Sequence, residues 1–374
     1  MQAKAKNMLY DWFVTFRKEG FTEWNSSPYL PIDTLGFGSL YAFAQDPAMR
    51  ELGREGMDFA YYLLAVHSQQ GIFASSSGRT YIKEQFGNWS NCPSGLSWIG
   101  YGYGVPGHAG KGITSYCLSD YEPPKEFAQW FSIPRGKEMI CQTTQGNDGY
   151  VDLYTYKTAD YMMTSANDFH PGEPGHQENP FQLTFNAVAQ LWVTHPGERV
   201  LFGAARPSYW AGNGTLPKVN QYKAFAGLIY DIAPEHPVDF THLYLPSMEF
   251  DRCEVEGKWA FVQLGSAYAA VYCSNGMRMQ DFGSNKDREC IAEGRRCIWL
   301  VRAAQADEFA AFEDFKAAMR GAALDADAEG RRYRFVDPVY GELRCQWGET
   351  LYVNDAPMQY SGFDNYGKLT MQEK

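Results

Sequence analysis

No block of lysine or arginine occurs in this sequence, and its 33 basic residues are outnumbered by 44 acidic ones, giving a formal net charge of -11. That speaks against nucleic acid or any partner held mainly through phosphates, whose surfaces are strongly basic. An anionic sugar polymer stays open, because a local group of Arg and His can sit within an acidic protein. Long apolar runs are missing too: the longest, near 59–66, falls far short of a membrane span. Residues 1–8 are polar and lead into an amphipathic stretch, so no signal peptide is visible. A soluble, cytoplasmic protein is expected, or an exported one if the chain is a fragment. The eight cysteines form no CxxC pair and have no His at finger spacing, which excludes a zinc finger and makes the reduced state the default. On export, a disulfide such as Cys290 to Cys297 would be open to the chain. There is no GxSxG elbow, P-loop or dinucleotide fingerprint, and the glycine-rich stretch 100–107 lacks the strand and helix of a phosphate cradle.

What the sequence does have is aromatic surface: 16% Phe, Trp and Tyr, with Tyr leading at 25. Such residues fill cores, and Tyr and Trp also line sugar clefts, offering a flat apolar face with a polar edge. Helical spacing of Leu9, Trp12, Phe13 and Phe16, closed by Gly20, predicts a first helix with one buried face. A second helix is expected from a cap at Asp33 or Thr34 through Leu40 and Phe43, and a third over 47–69, weakened in its first turns by Gly53 and Gly56. A short helix ending at Gly87 and a folded glycine-rich loop over 98–108 follow.

Beyond about residue 135 the period changes to two, and strands are expected at 150–163, 183–193, 200–204, 240–250, 259–264, 267–273, 297–302, 333–335, 343–347 and 350–353. Gly265-Ser266 and Asn275-Gly276 read as hairpin turns, Phe309 to Met319 as one intervening helix, and 322–332 as a solvated connection. The fold class expected is α+β: a short or partial helical domain over 1–134, then a large antiparallel β-sandwich over 135–374.

Four segments carry more polar and glycine residues than a turn requires: 23–29, 77–81, 170–179 and 206–214. Each has a bland interpretation. Asn25 and Ser26 suit a cap, His176 and Glu178 a surface pair, Arg206 and Trp210 a stack, and Asn213-Gly214 a turn. His242 reads as a satisfied core histidine and His195 as exposed and inert. His170, Glu173, His176 and Glu178 contain metal donors without helical HExxH spacing, so no metal and no cofactor is expected.

The stretch GFTEWNSSPY at 20–29 resembles the helix-hairpin motif that holds a catalytic tyrosine in polysaccharide lyases built from an α/α toroid and an antiparallel β-sandwich, the heparinase II/III and alginate lyase kind. In that family His follows the Tyr and the Glu-to-Tyr interval is slightly shorter; Leu30 stands at the His position here. Over most of 10–280 the chain is also similar to bacterial proteins of the same architecture carrying GHQE, as at 175–178, and RPSYWAGNG, as at 206–214. The resemblance implies β-elimination on an oligo- or polysaccharide containing uronic acid, with the oligomeric state open. In such a mechanism Asn25, His176 and Arg206 would neutralise the substrate carboxylate. Tyr29, its pKa lowered by Arg79 or Arg206, would take and return the proton. Trp24, Tyr209 and Trp210 would stack on sugar rings, with Glu178 and Asn213 as further substrate contacts. Two alternatives are a glycoside hydrolase using two of Glu23, Glu173 and Glu178 across a cleft, and a carbohydrate-binding or structural protein without an acid/base pair.

Overall fold

The computed structural model describes residues 2–85, 90–106, 111–146, 150–201 and 203–374. Its architecture is α+β, with helices first and a large antiparallel β region after them. The first three helices are α1 (Gln2–Glu19), α2 (Leu30–Phe43) and α3 (Pro47–Val66). Asp46 caps α3 by accepting the Ala48 N–H, and Pro47 fits the first turn, where its missing N–H has no partner to lose. α2 begins earlier than expected, at Leu30, for the same reason: Pro31 opens it, and Asp33 lies inside its first turn rather than capping it. Gly53 and Gly56 are required by packing. A Cβ on Gly53 would stand 2.5 Å from the Tyr41 nitrogen, and one on Gly56 2.4 Å from the Phe37 ring, so the two glycines let α3 approach α2.

The first sheet has nine antiparallel strands, in spatial order Arg278–Met279, Glu289–Glu293, Phe240–Tyr244, Gln190–Thr194, Phe181–Thr184, Met162–Asn167, Val151–Lys157, Lys137–Gln145 and Lys368–Glu373. A second sheet has six, ordered Lys218–Tyr222, Phe225–Asp231, Arg296–Gln305, Ala267–Cys273, Trp259–Leu264 and Arg252–Glu256. A third sheet of five short strands starts at Leu324–Asp327, inside the stretch expected to be a solvated connection. Apolar residues of all three sheets and of the helix Phe312–Gly321 share one core, exemplified by Tyr156, Leu191, Phe225, Val301, Phe315 and Phe335. The helices bury a separate core against one edge of the first sheet, where Met139, Cys141, Leu369 and Met371 meet Phe59, Tyr62 and their neighbours.

Several expected strands divide. The run 183–193 becomes two strands because Asn186 Oδ1 accepts the N–H groups of Val188 and Ala189 and turns the chain between them. The run 150–163 is likewise a hairpin, with Thr158 Oγ1 accepting from Asp160 and Tyr161. No strand occurs over 200–204 among the described residues. Gly265-Ser266 closes the hairpin of Trp259–Leu264 and Ala267–Cys273, whereas Asn275-Gly276 hands the chain from the second sheet to the first. Residues 98–101 belong to the helix Ser94–Tyr101, which ends at left-handed Gly102. Gly87, Gly107 and His108 lie outside the described residues. Cys297 faces Cys273, with the sulfurs 3.3 Å apart, while Cys290 lies against Met279.

Candidate functional site

All four polar segments meet at one seam. Gly78 N–H donates to the Trp24 carbonyl at 2.8 Å, and a Cβ on Gly78 would stand 2.6 Å from the Trp24 indole nitrogen, so only glycine lets 77–81 pass that close to 23–29. On its other side Ser77 and Asn179 exchange both backbone hydrogen bonds, at 2.9 and 2.7 Å. Gln177 grips Thr80 twice: its carbonyl accepts the Thr80 N–H at 3.1 Å, and its Nε2 donates to the Thr80 carbonyl at 2.8 Å. The fourth segment is tied in by Asn213 Nδ2, donating to the Glu178 carbonyl at 3.0 Å.

On the open side of this seam lies a continuous row of polar groups. Arg79 donates to Glu23 Oε1 at 2.8 Å and to the Tyr29 hydroxyl at 3.3 Å, and its guanidinium lies 4.8 Å from the Tyr29 ring centre. The Tyr81 side chain lies beside those of Arg79 and Tyr29, and the Arg206 guanidinium stands 5.5 Å from the Tyr81 ring centre. These contacts split the two phenols. Tyr81 is shifted below the usual tyrosine range, first by its hydrogen bond from Arg79 and further by Tyr29 and the charges of Arg79 and Arg206. Tyr29 is shifted up, chiefly by its hydrogen bond to Tyr81, despite the nearby Arg79 charge. Tyr81, a residue given no role in the sequence, is therefore the phenol whose pKa falls, whereas on Tyr29 the lowering effect of the Arg79 charge is outweighed.

Two clefts flank the row. One, of about 240 Å³, is lined by Trp12, Phe16, Phe21, Glu23, Tyr29 and Asp33; the other, of about 250 Å³, by Tyr81, Gln177, Arg206 and Ser208 among others. In the first, the Asp33 carboxyl is pushed up to about 7, mainly by burial and then by the Glu23 charge.

The remaining expected site residues lie elsewhere. Trp24, Tyr209 and Trp210 are 1%, 8% and 1% exposed, so no sugar ring reaches their faces. Trp24 packs on Phe169; Trp210 stacks on His242 at 4.0 Å; and the Tyr209 hydroxyl donates to Glu289 at 2.6 Å. Asn25 is buried below the row in a left-handed conformation, its Nδ2 donating to the Ser76 carbonyl. Asn213 is a buried staple whose Oδ1 accepts from His195 N–H and the Tyr230 hydroxyl. His176 is exposed, its backbone N–H held by the Glu178 carboxylate, and its imidazole makes no hydrogen bond or ion pair among the described residues. The two are not alternating strand residues, as expected, because no strand forms there.

His242 is a satisfied core histidine, bonded to Thr194 and Glu289 at 2.7 Å each. His195, expected to be exposed, is buried, with Nε2 at 3.1 Å from the Val238 carbonyl. His170 lies 3.5 Å from Glu173, and no three His, Cys, Asp or Glu converge on a metal position among the described residues. Nor is any helix of the described residues long and apolar enough to cross a membrane.

Three residues of the row and its clefts escaped the sequence: Tyr81, Asp33 and Trp12. Tyr81 stands two positions after Arg79 in a segment already singled out, which was the available signal. Asp33 resembles a helix cap, and Trp12 shares the spacing of a buried face yet is 45% exposed at the cleft rim. No protein-family model matches the chain, and no curated protein matches it either.

Proposed function

We propose that the protein is a polysaccharide lyase that cleaves a uronic-acid-containing glycan by β-elimination, with the Tyr29–Arg79–Tyr81–Arg206 row as its site. The observation that carries this is Tyr81, a surface phenol beside two guanidinium groups with its pKa shifted down. Elimination is limited by the weak acidity of the C5 proton while the neighbouring carboxylate keeps its charge. Arg206 and Arg79 provide positive charge for that carboxylate, and Tyr81 as phenolate is a base for C5. Tyr29, shifted up, stays a hydrogen-bond donor to Tyr81. Asn25 and His176 take no part in this version, because one is buried and the other lies outside the row of contacts. The architecture belonging to this proposal is a partial α/α toroid followed by a β-sandwich, the helices packed on the edge of the first sheet.

The test is a screen of purified protein against alginate, heparan, chondroitin, pectin and rhamnose–glucuronate glycans, following both ultraviolet absorbance of an unsaturated product and new reducing ends. Rising absorbance that is lost in Tyr81→Phe supports the proposal. Reducing ends without absorbance indicate a hydrolase, and silence in both with measurable glycan binding indicates a binding module; either outcome sinks it.

A further inference from the structure

The cleft beside Tyr29 contains a carboxyl group that the elimination as described leaves unused. The Asp33 N–H donates to the Tyr29 carbonyl at 2.9 Å, so the two residues stand one helical turn apart on one side of α2. Both line the cleft of about 240 Å³ with Glu23 and with Trp12, Phe16 and Phe21. Glu23 is engaged by Arg79. The Asp33 carboxyl, by contrast, has neither hydrogen bond nor ion pair among the described residues. Trp12 exposes its ring at the rim, which makes it the stacking surface that Trp24, Tyr209 and Trp210 do not provide.

Resting on the reaction proposed above, we infer that this cleft seats the sugar on the leaving side of the scissile bond, and that Asp33 delivers the proton to its departing oxygen. In the step, Tyr81 phenolate takes the C5 proton and the C5–H electron pair becomes the C4–C5 double bond. The C4–O bond breaks with its electrons on oxygen, and that oxygen takes the Asp33 proton. Tyr81 is left as phenol and Asp33 as carboxylate, and exchange with water resets both. The surroundings suit a neutral donor. α1 contributes only Trp12, Thr15 and Phe16 to the cleft, none titratable; Glu23 adds negative charge and is itself paired with Arg79; and no lysine or arginine lines the cleft. A carboxyl pushed up to about 7 by this burial keeps its proton for a large share of the time at neutral pH.

The experiment compares wild type with Asp33→Asn on the glycan that the screen identifies, measuring elimination against pH and, in heavy water, deuterium uptake at C5. The expected result is a fall in elimination of about 100-fold or more, with C5 exchange retained and the decline of activity above neutral pH abolished. A thermal melt no lower than wild type shows that the variant is folded. Unchanged elimination with an unchanged pH profile overturns the assignment, as does loss of C5 exchange together with elimination, which would tie Asp33 to the base instead. If wild type itself gives neither exchange nor absorbance on any uronate glycan, the proposed reaction fails and the role of Asp33 falls with it.

Discussion

Replacing Asp33 with asparagine is expected to raise stability at neutral and alkaline pH and to leave it nearly unchanged in acid. The rise of the carboxyl from 3.8 to about 7 corresponds to about 4 kcal/mol at roughly 1.4 kcal/mol per pH step. That is a ceiling. Asp33 lies in the first turn of α2, where the helix end favours an anion by about 0.3 to 1 kcal/mol, and water reaches part of the side chain. About 2 to 3 kcal/mol is the reasonable expectation. The sign follows from the raised folded value. Below 3.8 both states hold the proton and there is no penalty. Between 3.8 and about 7 the unfolded chain ionises while the folded chain does not, so stability falls as pH rises; above that window the full penalty persists. Urea midpoints of wild type and Asp33→Asn at about pH 4 and about pH 8.5 measure it directly. Curves that nearly coincide in acid and separate in base bear out the reasoning. An equal gap at both values would mean that the charge is not its source.

Gly78→Ala is expected to lose about 1 to 3 kcal/mol, because the new Cβ meets the buried Trp24 indole, and to disturb Arg79 and Tyr81 with it; an unchanged melting temperature would show that the seam yields without cost. Lys157 is buried between the carbonyls of Ala65 and Trp130, and burial lowers its pKa from 10.5 to about 7. The unfolded chain then binds the extra proton between those values, so wild-type stability should rise with pH across that window; Lys157→Met should be the more stable protein near pH 7 and should lack the rise attributable to Lys157. Urea unfolding at both ends of the window checks this, and a rise that persists unchanged in the variant would assign it to other groups.

Much of the fold is legible because its signals are local. The spacing of Phe13 and Phe16, the Asp46-Pro47 helix start and the alternation in 267–273 each specify an element from its own residues. Interruptions were harder. The turn at 185–189 depends on one asparagine oxygen and sits inside a run that keeps an apolar residue at every odd position, so period alone reads it as one strand. At the site, glycine and polar content pointed to four segments that the fold brings to one seam, but residue type does not say which face is covered. Trp210 and Tyr209 resemble a sugar platform until His242 and Glu289, brought from other strands, fill the space around them. Tyr29 and Tyr81 are equivalent phenols in sequence; the fold distinguishes them by setting each against the other and bringing Arg206 to Tyr81 as well as Arg79.

The two expectations for Asp33 run in opposite directions, and that opposition separates function from accident. A half-buried carboxyl without a partner is unfavourable, and asparagine, nearly the same shape, relieves it by a single substitution. A residue retained only for packing has no reason to carry that penalty, whereas a proton donor must have an unpaired, desolvated acid. Greater stability with lost elimination in Asp33→Asn is therefore the signature of a working acid. Greater stability with elimination intact would leave Asp33 as an unrelieved strain in α2, and would return the proton on the leaving oxygen to Tyr29, the phenol that lines that cleft with Asp33.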